Sequence, residues 1–335
     1  MQIIRVLAFT VFCFASAFAH AQHTMRIGLA SVNDIQHDLA IKYAEDLAKA
    51  TNGAIKVEIF PAGQLGAIPR QVENVKLGVQ AAFISPPGFF SGLNRGFEVP
   101  DAPGIYKNYW HANNAFTDPE FRDKFLQLGD KGGVVGVMLY AYGSTSIASL
   151  KPIRTLDDMK GLKVRVLASK MESKLASVLG MTGVPMPYGE VLPALQQNTI
   201  DGCRTAIAVM TGSKFFTVTK PVTLMDDGMI PSGIWVSKIW LAKLPKNLQD
   251  AVAKTAHGLE TWTGHTAVSH AERAEKTWKD NGGEVIRLSA KDQAEVTRRL
   301  APLGDEFLAN DPATKDMYAL LLKVLARAST EPPKK

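Results

Sequence analysis

The chain has 335 residues, 46% hydrophobic and 21% charged, a balance that excludes a disordered chain and a low-complexity fibre. Its length suits two domains better than one core. The net charge is +6, but lysines and arginines alternate with acids, and no basic run reaches the roughly five to eight residues of a nucleic-acid patch; no nucleic-acid partner is expected.

The first segment carries Arg5, then an uncharged apolar stretch from Val6 to Ala19, then Ala19-His20-Ala21 with small residues where a signal peptidase reads. This predicts a secretory signal peptide over residues 1–21, cut after Ala21, and hence an exported protein. Beyond it no apolar run approaches the roughly 20 residues of a helical membrane span. Cys13 leaves with the leader, so Cys203 stands alone and no internal disulfide is possible.

The mature chain opens with a strand over Met25–Ser31. Asp34 caps a helix whose apolar residues Leu39, Tyr43, Leu47 and Ala50 recur at helical spacing, stopped by Asn52-Gly53. Ile55, Val57 and Ile59 alternate with Lys56 and Glu58 in a second strand. A helix over Ile68–Leu77 and a buried strand over Gln80–Ile84 complete a βαβαβ order, which predicts an α/β domain with a largely parallel sheet. A second set comes next: strands over Gly133–Tyr140 and Leu162–Leu167, a helix over Lys170–Leu179, a helix from Gly189 through Gln197 that contains Pro193, and strand or extended chain over Ile200–Val209. Glu284–Leu288 is a late strand, and Ser289 caps a last helical region through Leu308. The run from Lys246 to Asn281 has no proline, with Pro245 before it and Gly282 after. One continuous helix there would be roughly 54 Å long; Gly258 and Gly264 are the places where it would break into two.

Enzyme signatures are missing: no GxSxG, HExxH, GxxxxGK[ST] or strand-following GxGxxG occurs. His257, His265 and His270 are spaced so that three ligands do not share one helix face, so no metal is expected. Cys203 reads as a core thiol and Asp226-Asp227 as a turn or cap; each is also what a secreted α/β enzyme would have to use. Arg165 lies inside the apolar strand Val164-Arg165-Val166. Alternation alone leaves it open whether this arginine faces water from an edge strand or awaits a carboxylate partner.

The stretch from Pro152 to Val166 (PIRTLDDMKGLKVRV) resembles a block of the substrate-binding proteins of tripartite ATP-independent periplasmic (TRAP) transporters. So do Phe60–Gly66 (FPAGQLG), Val184–Val191 (VPMPYGEV), Ala194–Gln197, Ile200–Gly202 and Lys214–Val218, all in family order. The resemblance implies a two-domain α/β solute-binding fold with a ligand cleft between lobes and a long helix spanning both. It implies crossings near Gly143, near Pro231 and within the long helix. One domain then comprises residues 22–142 and 231–262, the other 143–230 and 263–330, with 331–335 a disordered tail. It implies a small organic acid as ligand, membrane subunits of a TRAP transporter as partners, no cofactor and no catalysis, and a monomer is expected. Arg165 takes the place of the family's carboxylate-binding arginine and Tyr188 that of its ligand-packing aromatic. Thr205 stands where the family often has asparagine. A second arginine common in the family falls near Ser144 or Thr145, so a monocarboxylate is favoured over a dicarboxylate unless Arg204 or Lys238 supplies the second cation. Asn33, Ser85, Asp227 and Trp235 are further ligand-binding candidates. A binding protein serving an ATP-driven importer or a sensor kinase would look much the same.

Overall fold

The computed structural model describes residues 22–333, so the leader segment and the last two residues lie outside it. The first five elements take the expected order: β1 (His23–Leu29), α1 (Ile35–Ala50), β2 (Ile55–Phe60), α2 (Ile68–Lys76) and β3 (Ala82–Ser85). β1 lies between β2 and β3, parallel to both. Asp34 caps α1, its carboxylate accepting from the His37 backbone N–H at 3.1 Å. Two short 3₁₀ turns, Pro87–Phe90 and Arg95–Asp101, then lead to α3 (Tyr109–Thr117) and α4 (Pro119–Leu126).

β4 (Val134–Ser149) starts where expected but runs on past Tyr140. After it come β5 (Lys163–Val166), α5 (Lys170–Val178), β6 (Thr182–Pro185), α6 (Tyr188–Gln196), β7 (Gly202–Ala206) and α7 (Ile207–Gly212). The extended reading of Ile200–Val209 thus ends at Ala206, where the chain turns into α7. β8 (Pro221–Ser237) has no counterpart in the sequence reading, because Asp226-Asp227-Gly228 and Pro231-Ser232-Gly233 look like turns. The long strand absorbs them as irregularities: its pairing with β4 shifts register at three points, and Asp226 takes a left-handed φ of 46°.

α8 (Lys238–Leu241) is followed by α9 (Lys246–Gly258) and α10 (Glu260–Asp280). The proline-free run is therefore two helices, broken at Leu259, next to Gly258. The Glu260 carboxylate braces the break, accepting from Arg122 at 3.1–3.2 Å and lying 3.0 Å from the His257 ring. Gly264 is no kink; it lies inside α10, where a β-carbon would crowd Trp110 and Asn113. α10 packs on α1 and α3 on one side and on α7 and β9 (Glu284–Arg287) on the other. Ser289 caps α11 (Ala290–Leu300); α12 (Pro302–Gly304) and a π-turn at Asp305–Ala309 interrupt the expected continuation, and α13 (Lys315–Leu325) closes the chain. The backbone carbonyl of Glu331, the first residue of the supposed tail, accepts from Asn114 on α3 at 2.9 Å.

The nine strands among the described residues form one sheet in the order β2-β1-β3-β8-β4-β7-β5-β6, with β9 added to β8. It reads as two half-sheets. In the first, β3 pairs residues 233–236 of β8, which in turn pair the start of β4. In the second, the end of β4 pairs β7, and residues 221–224 of β8 carry β9. β4 and β8 are the two strands that pass from one half to the other. The central strands β3, β7 and most of β4 and β8 are buried, whereas the outer strands β2 and β6 and the short β9 are partly exposed.

Candidate functional site

A narrow cavity of about 40 Å³ lies between the half-sheets. Its wall is assembled from residues just beyond the carboxyl ends of parallel strands: Ala30 and Ser31 after β1, Pro86 and Phe89 after β3, Leu167 after β5. Arg165 near the end of β5 and Thr205 near the end of β7 complete it from the second half. Carboxyl ends of strands are where open α/β sheets leave a crevice, because the connecting loops diverge there.

Arg165 is 2% exposed. Its Nε donates to the Met186 carbonyl at 3.1 Å, and its guanidinium carbon lies 5.8 Å from the centre of the Tyr188 ring. The Tyr188 ring is held in turn: it stacks on Phe215 at 5.6 Å, and its hydroxyl donates to the Val209 carbonyl at 2.9 Å. Register places Cys203 of β7 directly beside Arg165. Thr205, two residues further, therefore projects from the same face of the sheet. Arg165, Tyr188 and Thr205 thus meet at one wall of the cavity, and among the described lining residues Arg165 alone is charged. No aspartate or glutamate among the described residues pairs with it. A buried cation without a protein anion is expensive, which makes this cavity the candidate site for an anionic group.

The other candidates sit elsewhere. Asp227 is buried and paired with Arg204 at 2.9 and 3.1 Å, and Thr145 donates to the same carboxylate. Ser144 lines a separate recess beside α10, together with Asp226, Glu275 and Arg287. Asn33 is exposed; its side-chain amide donates to the Gly212 carbonyl at 3.4 Å, a contact between the two halves. Trp235 is fully buried in an aromatic cluster with Phe90 and Phe97, and its Nε1 donates to the Ser85 carbonyl at 2.9 Å. Ser85 is itself buried, its hydroxyl donating to the Pro86 carbonyl at 3.3 Å. In place of Asn33 and Ser85 the cavity uses their near neighbours Ser31, Pro86 and Phe89, with Gln36, Tyr142 and Val209. Period-2 alternation is lost in loops, so nothing in the sequence pointed to one loop residue over its neighbour.

The residues singled out as possible enzyme groups are engaged elsewhere. Burial pushes the Cys203 thiol up to about 11, the opposite of an activated nucleophile. Asp226 and Asp227 diverge, one exposed and the other locked onto Arg204. His257 meets Glu260, His270 meets Asp38 at 2.8 Å, and His265 packs against Trp110. No described helix is long and apolar enough to cross a membrane.

A model of bacterial extracellular solute-binding proteins, family 7 (DctP), matches residues 28–311. The C4-dicarboxylate-binding periplasmic protein DctP of Rhodobacter capsulatus is 29% identical over 269 residues, 80% of each chain. The 2,3-diketo-L-gulonate-binding periplasmic protein YiaO of Escherichia coli K12 is 27% identical over 268 residues, 79% of this chain and 81% of that one. A TRAP periplasmic solute-binding protein of Xanthobacter autotrophicus Py2, solved with bound β-D-galacturonate, superposes with a TM-score of 0.82 at 26% identity, covering 89% of this chain and 99% of that chain. The fold is thus that of the two-domain TRAP solute-binding proteins, and the chain belongs to family 7 of the bacterial extracellular solute-binding proteins, the DctP family.

Proposed function

We propose that this protein, exported and cut after Ala21, captures a small organic acid at Arg165 and delivers it to the membrane subunits of a TRAP-type transporter. The observation that carries the reading is the isolated Arg165 guanidinium, buried in a cavity between two half-sheets. A carboxylate suits it because the planar fork binds two oxygens at once. Tyr188 restricts the guanidinium on one side, and Thr205 adds a hydroxyl on the same face. The carboxylate-bearing compounds in the names of the relatives point the same way.

Capture in a cleft also needs motion. The lobes are residues 22–142 with 231–262 and residues 143–230 with 263–330, acting within a monomer. They are joined by β4, β8 and the α9–α10 pair. The register shifts of β4 against β8 near Ala141–Ser146, and the break at Leu259, are where the connection yields. A ligand touching both lobes favours the closed arrangement by its differential contacts. Calorimetric titration of the mature protein with a panel of organic acids, repeated on Arg165→Ala, tests the reading: binding is expected in the parent protein and not in the variant. Undiminished binding in Arg165→Ala would sink it.

A further inference from the structure

We infer that the ligand is a monocarboxylate whose remaining body is largely apolar; the inference rests on the carboxylate reading above and narrows it. The cavity holds a single charge, on Arg165. The two other candidate cations are already committed. Arg204, on the neighbouring strand but the opposite face, gives its Nε to Glu172 at 3.1 Å and its Nη1 to Asp227 at 2.9 Å. Lys238 is on the outer surface, paired with Asp130 at 2.6 Å. A second ligand carboxylate would therefore be buried without a cation, a penalty no other group in the cavity offsets.

The hydrogen-bonding inventory limits hydroxyls in the same way. Ser31 donates to Gln36 at 3.1 Å, Gln36 donates to Ser232 at 2.9 Å, and the Tyr188 hydroxyl is spent on the Val209 carbonyl. The Tyr142 hydroxyl is buried beside Asp34. Gln36 keeps one amide hydrogen and Ser31 and Tyr188 keep acceptor capacity, so besides Arg165 and Thr205, which sit at the carboxylate end, few groups are left to meet ligand hydroxyls. The rest of the wall is hydrocarbon from Ile68, Phe89, Leu167, Val209 and Ile230. A polyhydroxylated acid would leave most of its hydroxyls unpaired there, whereas an alkyl or aryl body gains by burial.

The test is competition calorimetry on the full mature protein with four probes: pentanoate, its chain-matched dicarboxylate glutarate, benzoate and galacturonate. Pentanoate or benzoate is expected to bind at least ~30-fold more tightly than glutarate and galacturonate, the discrimination an uncompensated buried polar group produces. Glutarate or galacturonate binding equally or more tightly overturns the inference, as does failure of all four to bind. Repeating the tightest titration on Arg165→Gln separates the two levels. If affinity collapses while glutarate or galacturonate was preferred, the carboxylate reading stands and only the apolar class falls. If affinity survives the substitution, the carboxylate reading falls with it.

Discussion

Arg165 and Arg204 are separated by one strand position across β5 and β7, and both are almost completely buried. Their surroundings differ. Arg204 holds Glu172 and Asp227 from two other elements, α5 and β8; burial alone would lower its proton affinity, but the charges and hydrogen bonds of these two carboxylates outweigh that and raise it. Arg165 has a backbone carbonyl, an aromatic face and a cavity. The difference teaches how to read a buried arginine: one whose carboxylates are supplied by the chain holds the fold together, and one without a carboxylate from the chain is the candidate for a ligand contact.

The largest expected effect breaks the structural member of this pair. Arg204→Met leaves Glu172 and Asp227 as unpaired buried acids and should cost about 3–5 kcal/mol of unfolding free energy. Arg165→Met removes an unpaired charge and should leave the unliganded protein as stable as before, or more so. Urea unfolding of both variants without ligand checks this, and equal losses would erase the distinction. Ligand affinity should reverse the order. Arg165→Met should lose about 2–5 kcal/mol of binding free energy, the range for truncating one partner of a buried charge pair. In calorimetry Arg204→Met, where it remains folded, should bind within a fewfold of the parent protein.

A smaller effect is expected where the two halves touch. Gly212 begins no turn that needs glycine; it lets the Val32 and Asn33 backbone approach, and a β-carbon there would collide with the Val32 carbonyl oxygen. Gly212→Ala should therefore disfavour the closed arrangement without touching the ligand, weakening affinity by about tenfold while the unliganded melting temperature stays put. Scattering profiles with and without ligand would show whether compaction is lost in the variant. An unaltered affinity would mean that this contact does not gate closure.

The smallest effect sharpens the picture around Arg204. Asp101 is buried near Glu172 and Glu98, and desolvation, reinforced by those two carboxylates, raises its carboxyl well above the usual range. The folded state thus holds a proton that the unfolded chain has released. Folded protein then binds more protons than unfolded, so this group's contribution to stability is complete below the unfolded value near 3.9 and is lost as pH rises toward the folded one. Asp101→Asn stays neutral and should remove that part of the slope, at most about 1.4 kcal/mol per pH unit. Urea midpoints of both proteins at pH 5 and pH 8 should diverge in the variant's favour at the higher pH. Parallel changes in the two proteins would show that Asp101 is ionised in the fold.

Much of the fold was legible because its signals are local. The cap at Asp34, the stop at Asn52-Gly53 and the alternation of Ile55–Ile59 each predicted an element that forms. β8 was illegible for a physical reason: a strand that crosses between two half-sheets must bend, so it carries the Asp, Gly and Pro residues that ordinarily end strands. The break at Leu259 is similar, since the residue that turns is not the glycine beside it. In the candidate site, Arg165, Tyr188 and Thr205 were reached through a regular strand, a helix start and a motif in family order. Ser31, Gln36, Phe89 and Val209 were not, because they come from loops and helix faces whose direction is set by packing.

Local periodicity, capping chemistry and residue type determined by themselves that this chain builds α/β units and that an arginine lies within an apolar strand. Only the tertiary structure decided that Arg204 is neutralised by residues 32 positions before it and 23 after it, while Arg165 is neutralised by none. Charge pairing is a matter of distances between elements far apart in sequence, and a one-dimensional pattern contains no such distance.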